Sequence, residues 1–215
     1  MTRDAFLVGL VTLIVTIDPV GLIPVFLSLT RGASHAERRS IALRAAIVTF
    51  AILSFFVLAG SWLLRWLEVS LAAFRISGGL LLFWISFEMV FEKRAQREQQ
   101  TADVALGKDR IRDVAAVPLA IPLMAGPGAI TAVILLASRS DASALAFVSL
   151  LALIAMVTLV CYLVFLAAAR LSTLLGATGN HVLSRMLGVV LSALAVQFVI
   201  DGLRTVFSAP VVPAG

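Results

Sequence analysis

Residues 142–169 read ASALAFVSLLALIAMVTLVCYLVFLAAA, 28 positions without one Asp, Glu, Lys or Arg. At about 1.5 Å of rise per residue, a helix of that length exceeds the hydrocarbon core of a bilayer, about 30 Å thick. Two more runs, 45–64 and 114–138, are free of those charges over 20 and 25 residues. The 215-residue chain is 61% hydrophobic and 13% charged, whereas soluble domains run about 45–50% apolar and about 25% charged. A water-soluble globule of this size could not hide so much apolar surface, and the chain reads as a multi-span helical membrane protein. Its formal charge of +5 is therefore no nucleic-acid footprint, because basic residues in membrane proteins mark the cytoplasmic loops. A single cysteine, Cys161, excludes an intrachain disulfide and makes a cysteine-based metal site implausible.

Working outward from that run, the chain offers six candidate spans, at about 6–29, 42–64, 70–91, 114–137, 143–169 and 182–207. The first is expected to be a span rather than a cleaved signal peptide, since the apolar stretch from Ala5 runs to Thr30 with only Asp18 to interrupt it. The third and sixth are weaker: Arg75 and Glu88 bracket 12 uncharged residues, Arg185 and Asp201 bracket 15. Runs that short can be re-entrant, so a four-span arrangement stands beside the six-span one. The basic residues favour six. Twelve of them follow spans one, three and five, from Arg31 to Arg185, against five on the other side: Arg3, Arg65, Arg75, Arg139 and Arg204. The excess sets the charged linker 93–113 in the cytoplasm and both termini outside, in the inner membrane of a cell. His35 and His181 then fall in connecting segments.

The two weak spans match each other. Arg75-Ile-Ser-Gly78 leads through an apolar run to Glu88, and Arg185-Met-Leu-Gly188 leads through a similar run to Gln197 and Asp201. The first and fourth spans are both broken by Pro and Gly, at Asp18-Pro19-Val20-Gly21-Leu22-Ile23-Pro24 and at Ala125-Gly126-Pro127-Gly128. Three spans per half is odd, so the second copy enters the membrane from the opposite side, a plan common among secondary transporters. The expected fold is thus an all-α membrane domain of six helices. It forms two inverted three-helix repeats, at about 5–92 and 114–208, with helices one and four broken. The tail 209–215 is expected to be disordered.

Both breaks lie at the centres of their spans, between Ile17 and Asp18 and between Ala125 and Gly126. Proline inside a helix removes a hydrogen bond and clashes with the preceding turn. In hydrocarbon the freed carbonyls need protein or a watered cavity. Asp at a cap followed by Pro at the first helical position is a standard helix start. Asp18-Pro19 is therefore expected to open a second half-helix from Val20, and Gly126-Pro127 another from Gly128. Two N-termini then point at the midplane, where their free N–H groups and partial positive charge suit a carboxylate, with Thr16 and Thr131 close enough to add hydroxyls. Asp18, an ionisable group at bilayer depth, is a cap or a proton site, or both. Glu88, about 7 Å in depth from the centre of its span at 1.5 Å per residue, faces the same cavity or snorkels. Gln197 and Asp201 read as structural, Asp201 pairing with Arg204, and Gly78, Gly79 and Gly188 as contact points between helices.

The segment Asp18-Pro19-Val20-Gly21-Leu22-Ile23-Pro24-Val25-Phe26 resembles the Asp-Pro-x-Gly-x-x-Pro-x-Phe signature of the MarC family, and residues 118–131, from Pro118 to Thr131, resemble its second signature. Size, six spans and the charged linker fit as well, so the resemblance covers nearly the whole chain. It implies a relative of LysE-type exporters and a neutral amino acid transporter with proton coupling. The substrate site would comprise Asp18, Pro19, Gly21, Pro24, Gly126, Pro127, Gly128, Thr131 and Glu88. No cofactor or metal is expected. A channel or a non-transporting membrane component is the second reading. An intramembrane hydrolase is the third, disfavoured because Asp18 and Asp201 sit at different depths and neither histidine reaches the membrane centre.

Overall fold

The computed structural model describes residues 3–30, 33–91, 93, 97, 100, 119–139 and 144–207. The linker from 101 and the tail 209–215 therefore lie outside the described residues. Every regular element described is helical: α1 (Arg3–Ile17), α2 (Ile23–Leu29), α3 (His35–Trp66), α4 (Leu71–Val90), a wide π-type turn (Leu119–Met124), α5 (Pro127–Arg139), α6 (Ala144–Leu166) and α7 (Ala168–Phe207). Four helices are long and apolar enough to cross a membrane: α3, α4, α6 and the Val182–Phe207 part of α7. The two helices with the weakest apolar runs, α4 and α7, are continuous through those runs. The discontinuous ones are the first and fourth, where α1 and α2 share one apolar stretch and the π-type turn and α5 share the other. Local steric chemistry at proline and glycine, rather than the length of the uncharged run, decides continuity.

Helix ends follow their caps. Ser34 and Glu37 form a capping box, Ser34 N–H donating to Glu37 Oε2 at 2.8 Å and Glu37 N–H to Ser34 Oγ at 3.3 Å. This starts α3 at His35, seven residues before the expected edge of that span, and places His35 in a helix rather than a connection. Ser70 accepts from the Ala73 N–H at 3.1 Å and starts α4. His181 likewise falls within the helical backbone of α7. That helix is interrupted at Gly176, with φ 61° and ψ 179°, a region essentially reserved for glycine. A Cβ there would meet nothing within 4 Å, so Gly176→Ala carries a purely conformational penalty of about 1–3 kcal/mol. The expected result is a lower thermal midpoint in detergent with unchanged helix content by circular dichroism.

The core has two parts. The larger joins α1, α2, α3, the π-type turn, α5 and α6, with Phe26 stacked on Phe165 at a centroid distance of 4.8 Å. The smaller is built from Leu82 and Met89 of α4 with Leu191, Ala195 and Phe198 of α7, completed by Val15 of α1 and Leu135 of α5. α4 and α7 form the most extensive helix pair, and glycine makes it possible. A Cβ on Gly79 would lie 2.8 Å from the Ala195 carbonyl oxygen; on Gly188, 3.1 Å from that of Ser86; on Gly202, 3.0 Å from that of Ala72. Thus 72 meets 202, 79 meets 195 and 86 meets 188, an antiparallel seam. Both helices contribute glycines to it: Gly79 packs on Ala195 and Val199, and Gly188 packs on Ser86, Met89 and Val90, whereas Gly78, the counterpart of Gly188 in the expected repeat, packs on Thr131 and Leu135 of α5. Lipid offers helices no hydrophobic drive to associate, so close backbone approach at small residues holds such pairs together.

The candidate site at the two helix breaks

The residue before a proline is pushed out of the right-handed helical region, and Asp18 precedes Pro19. Its N–H still closes α1 on the Ile14 carbonyl at 2.9 Å, but its φ is 53°, a left-handed conformation that aspartate tolerates better than most residues. The chain turns through residues 19–22 before α2 begins. Two further bonds hold the turn, from Leu22 N–H to the Asp18 carbonyl and from Ile23 N–H to that of Val20, both at 3.1 Å. The Asp18 carboxylate folds back over the turn and accepts from the Gly21 N–H at 3.0 Å. Gly21 permits this by having no side chain, for a Cβ there would collide with the carboxylate.

This corrects the expected half-helix. Asp18 caps a turn, not a helix beginning at Pro19: α2 starts at Ile23, has seven residues, and has Leu22 at its N-cap with no side-chain cap. The carboxylate consumes the N–H of Gly21 that a ligand was expected to use.

Asp18 is 3% exposed, and its second oxygen accepts from Ser184 Oγ of α7 at 3.1 Å. Ser184 stands 166 positions away and carries no sequence signal, since serine is common on helices and this one lies in no motif. It is the partner that sequence reasoning missed.

The second break is built differently. The Ala125 N–H bonds the Ala120 carbonyl at 2.8 Å, five residues back, around an extended Ile121 (φ −130°, ψ 121°). α5 then opens with Pro127 at its first position, and Ile130 N–H donates to the Gly126 carbonyl at 3.0 Å. Proline suits that position because the first N–H groups of a helix have no partner within it. By their position in the first turn, the N–H groups of Gly128 and Ala129 have no partner within this thirteen-residue helix.

The two breaks come together at Gly128. A Cβ there would lie 3.1 Å from Thr16 Cγ2 and 2.5 Å from Ile85 Cδ1, so α1, α4 and α5 meet two residues from Asp18. Thr16 and Thr131 are both buried, and the Thr131 methyl packs on the bare backbone of Gly78. Thr49 of α3 donates to Met124 Sδ at 3.7 Å, tying the π-type turn to its neighbour. Pro19 is buried and Gly21 and Gly126 are half-buried, but Pro24 and Pro127 are exposed and stand apart from the buried cluster. Glu88 is buried, yet its carboxylate is held by the Arg97 guanidinium, whose Nη1 donates to Oε1 at 3.0 Å while Nη2 lies 2.9 Å from Oε2 as an ion pair. Asp201 accepts from Gln197 at 2.8 Å, one turn away on α7, a partner that the expected Arg204 pairing did not include. Cys161 is buried in α6 with a free thiol.

The arrangement offers a buried carboxylate strung between a backbone amide and a mobile hydroxyl, beside the N-terminus of an interrupted helix. A carboxylate so held can exchange a proton without losing its place, since the Ser184 hydroxyl can turn from donor to acceptor.

Comparison with known proteins agrees with the signatures at these breaks. The profile of MarC family integral membrane proteins matches residues 4–207. A UPF0056 membrane protein of Methanocaldococcus jannaschii is 34% identical over 95% of this chain and 98% of its own. Others from Aquifex aeolicus and Archaeoglobus fulgidus are 34% and 36% identical, over 93% and 92% of this chain and 92% of each of their own. No solved structure matches the chain. With the profile covering all but the extreme ends, and relatives of this identity aligned over both breaks, the chain belongs to the MarC family of integral membrane proteins.

Proposed function

We propose that the protein is a secondary transporter of small polar solutes, with neutral amino acids as the substrate class and protons as the coupling ion. The observation that carries the reading is Asp18. It is a carboxylate 3% exposed at a break in an apolar helix, bonded to Ser184 of the opposite half of the chain and adjacent to the second break through Thr16 and Gly128. Ionisable groups at such positions mark substrate and proton pathways. The substrate carboxylate would lie on the N–H groups of Gly128 and Ala129 at the start of α5, and Asp18 would carry the proton.

The two halves would be inverted three-helix repeats, with both termini outside and the linker 93–113 cytoplasmic in an inner membrane. The matching breaks of the first and fourth apolar stretches, at Asp18-Pro19 and at Gly126-Pro127, support that symmetry. Alternating access would move one half against the other about the breaks, opening and closing the Asp18–Ser184 contact. Carriage rather than catalysis fits the chemistry of Asp18, engaged by an amide and a hydroxyl.

Counterflow of labelled alanine or glycine into proteoliposomes preloaded with the same solute tests the proposal. Saturable counterflow is the expected result, and an alanine amide, lacking the carboxylate, should compete poorly. A channel would give flux without counterflow, and no exchange of any small neutral amino acid would remove the proposed substrate class.

A further inference from the structure

A cavity lies away from the breaks, at the end of the bundle where α3 and α5 finish and α6 begins, with a volume of about 690 Å³. Ligand pockets run about 300–1,000 Å³, so it has room for one long chain rather than a whole lipid. Val57, Leu64, Ile134 and Leu150 form apolar walls, and all four are buried. The polar lining comes from the last turns of α3 and α5: Ser61, Arg65 and Ser138. The Ser138 hydroxyl is already donated to the Leu135 carbonyl at 2.8 Å, which leaves Ser61 and Arg65 to meet a polar head. Val57 precedes Arg65 by eight residues, about 12 Å along the helix axis at 1.5 Å per residue. One end of the cavity is therefore cationic and the other apolar.

The depth of the charged end is marked independently. Trp62 and Trp66 flank Arg65, are 60% and 70% exposed, and stack at a centroid distance of 6.4 Å. Exposed tryptophans on a membrane helix sit at the headgroup level, which puts the Arg65 guanidinium among phosphates and Val57 among acyl chains. Among the described residues no carboxylate pairs with Arg65. A planar fork of donors with no carboxylate partner among the described residues, at that depth, matches a phosphodiester in two-point geometry.

We propose that this cavity is a binding site for one anionic phospholipid of the bilayer, with one acyl chain between α3, α5 and α6 and its phosphate on Arg65. The charge selects the head and the walls select the chain. The site is independent of the transport reading, since its lining residues include none of the break residues around Asp18.

The test is native mass spectrometry of the purified full chain in detergent, titrated with phosphatidylglycerol or phosphatidylcholine. One phosphatidylglycerol should bind saturably and in preference to phosphatidylcholine. Arg65→Gln should weaken phosphatidylglycerol about fivefold, the effect of one cationic contact at a membrane surface, and phosphatidylcholine less, because its choline ammonium already offsets the phosphate charge, so that the preference between the two lipids shrinks. Ala137→Phe, which puts a ring into the cavity, should weaken both; if that variant does not fold, Ser61→Phe at an exposed lining position replaces it. Equal binding of the two lipids by the wild type, unsaturable binding, or an Arg65→Gln protein that keeps its preference would each overturn the proposal. A parallel titration with oleate that binds saturably where phosphatidylglycerol does not would also overturn it, making the occupant a free single-chain amphiphile.

Discussion

Proteoliposomes carrying Asp18→Asn are expected to take up labelled alanine under an inward proton gradient no faster than protein-free liposomes, while counterflow of alanine persists. The substitution removes the proton site and little else. Asparagine tolerates the left-handed φ of 53°, its carbonyl oxygen can still accept from Gly21 N–H, and its amide can donate to Ser184 Oγ. Stability should therefore stay within about 1 kcal/mol, the scale of a single hydrogen bond. Asp18→Ala is the contrasting variant. It loses both bonds and forces alanine into a conformation that costs about 1–2 kcal/mol on its own, so a loss of roughly 2–4 kcal/mol is expected in thermal unfolding. Gradient-driven uptake surviving in Asp18→Asn would remove Asp18 as the proton carrier while leaving it as a structural cap.

The largest purely structural effect is expected at the seam of α4 and α7. Gly79→Leu would place a Cβ 2.8 Å from the Ala195 carbonyl oxygen and 3.0 Å from the Val199 backbone nitrogen. Backbone atoms cannot step aside as a side-chain tip can, so the helices must separate and give up the contacts of Leu82, Met89, Leu191 and Phe198 beyond. Overpacking commonly costs about 1–3 kcal/mol, and a rigid backbone neighbour puts this case at the upper end. A thermal melt in detergent reads the loss. Leu80→Ala, one residue along and 58% exposed, is the control and should melt close to wild type. Similar midpoints for the two variants would show that the seam does not depend on close approach at Gly79.

Much of this protein is legible in one dimension because the quantities concerned are local. An uncharged run of 28 residues must find hydrocarbon whatever surrounds it, and proline at 19 and 127 must interrupt or open a helix wherever it lies. The breaks, the helices that flank them and the membership of the family all follow from residues close together in the chain. The start of α2 departs from the expected position for an equally local reason. Whether Asp18 caps a helix or a turn depends on a carboxylate folding back on Gly21 within three residues, a choice between two near-equivalent backbone paths that composition does not separate.

Other features belong to the folded molecule alone. Ser184 meets Asp18 across 166 positions, Glu88 is taken up by Arg97 instead of joining Asp18, and Pro24 and Pro127 are exposed where their motifs suggested a buried place. The cationic cavity at Arg65 exists only because three helix ends fail to close on one another. Hydropathy and backbone sterics act over one turn or one span, so they fix from the chain alone that it enters the membrane as helices, and where those helices break. Contacts between helices depend on which faces turn towards each other. They arise on folding, because in lipid every apolar face is equally at home until close packing selects one.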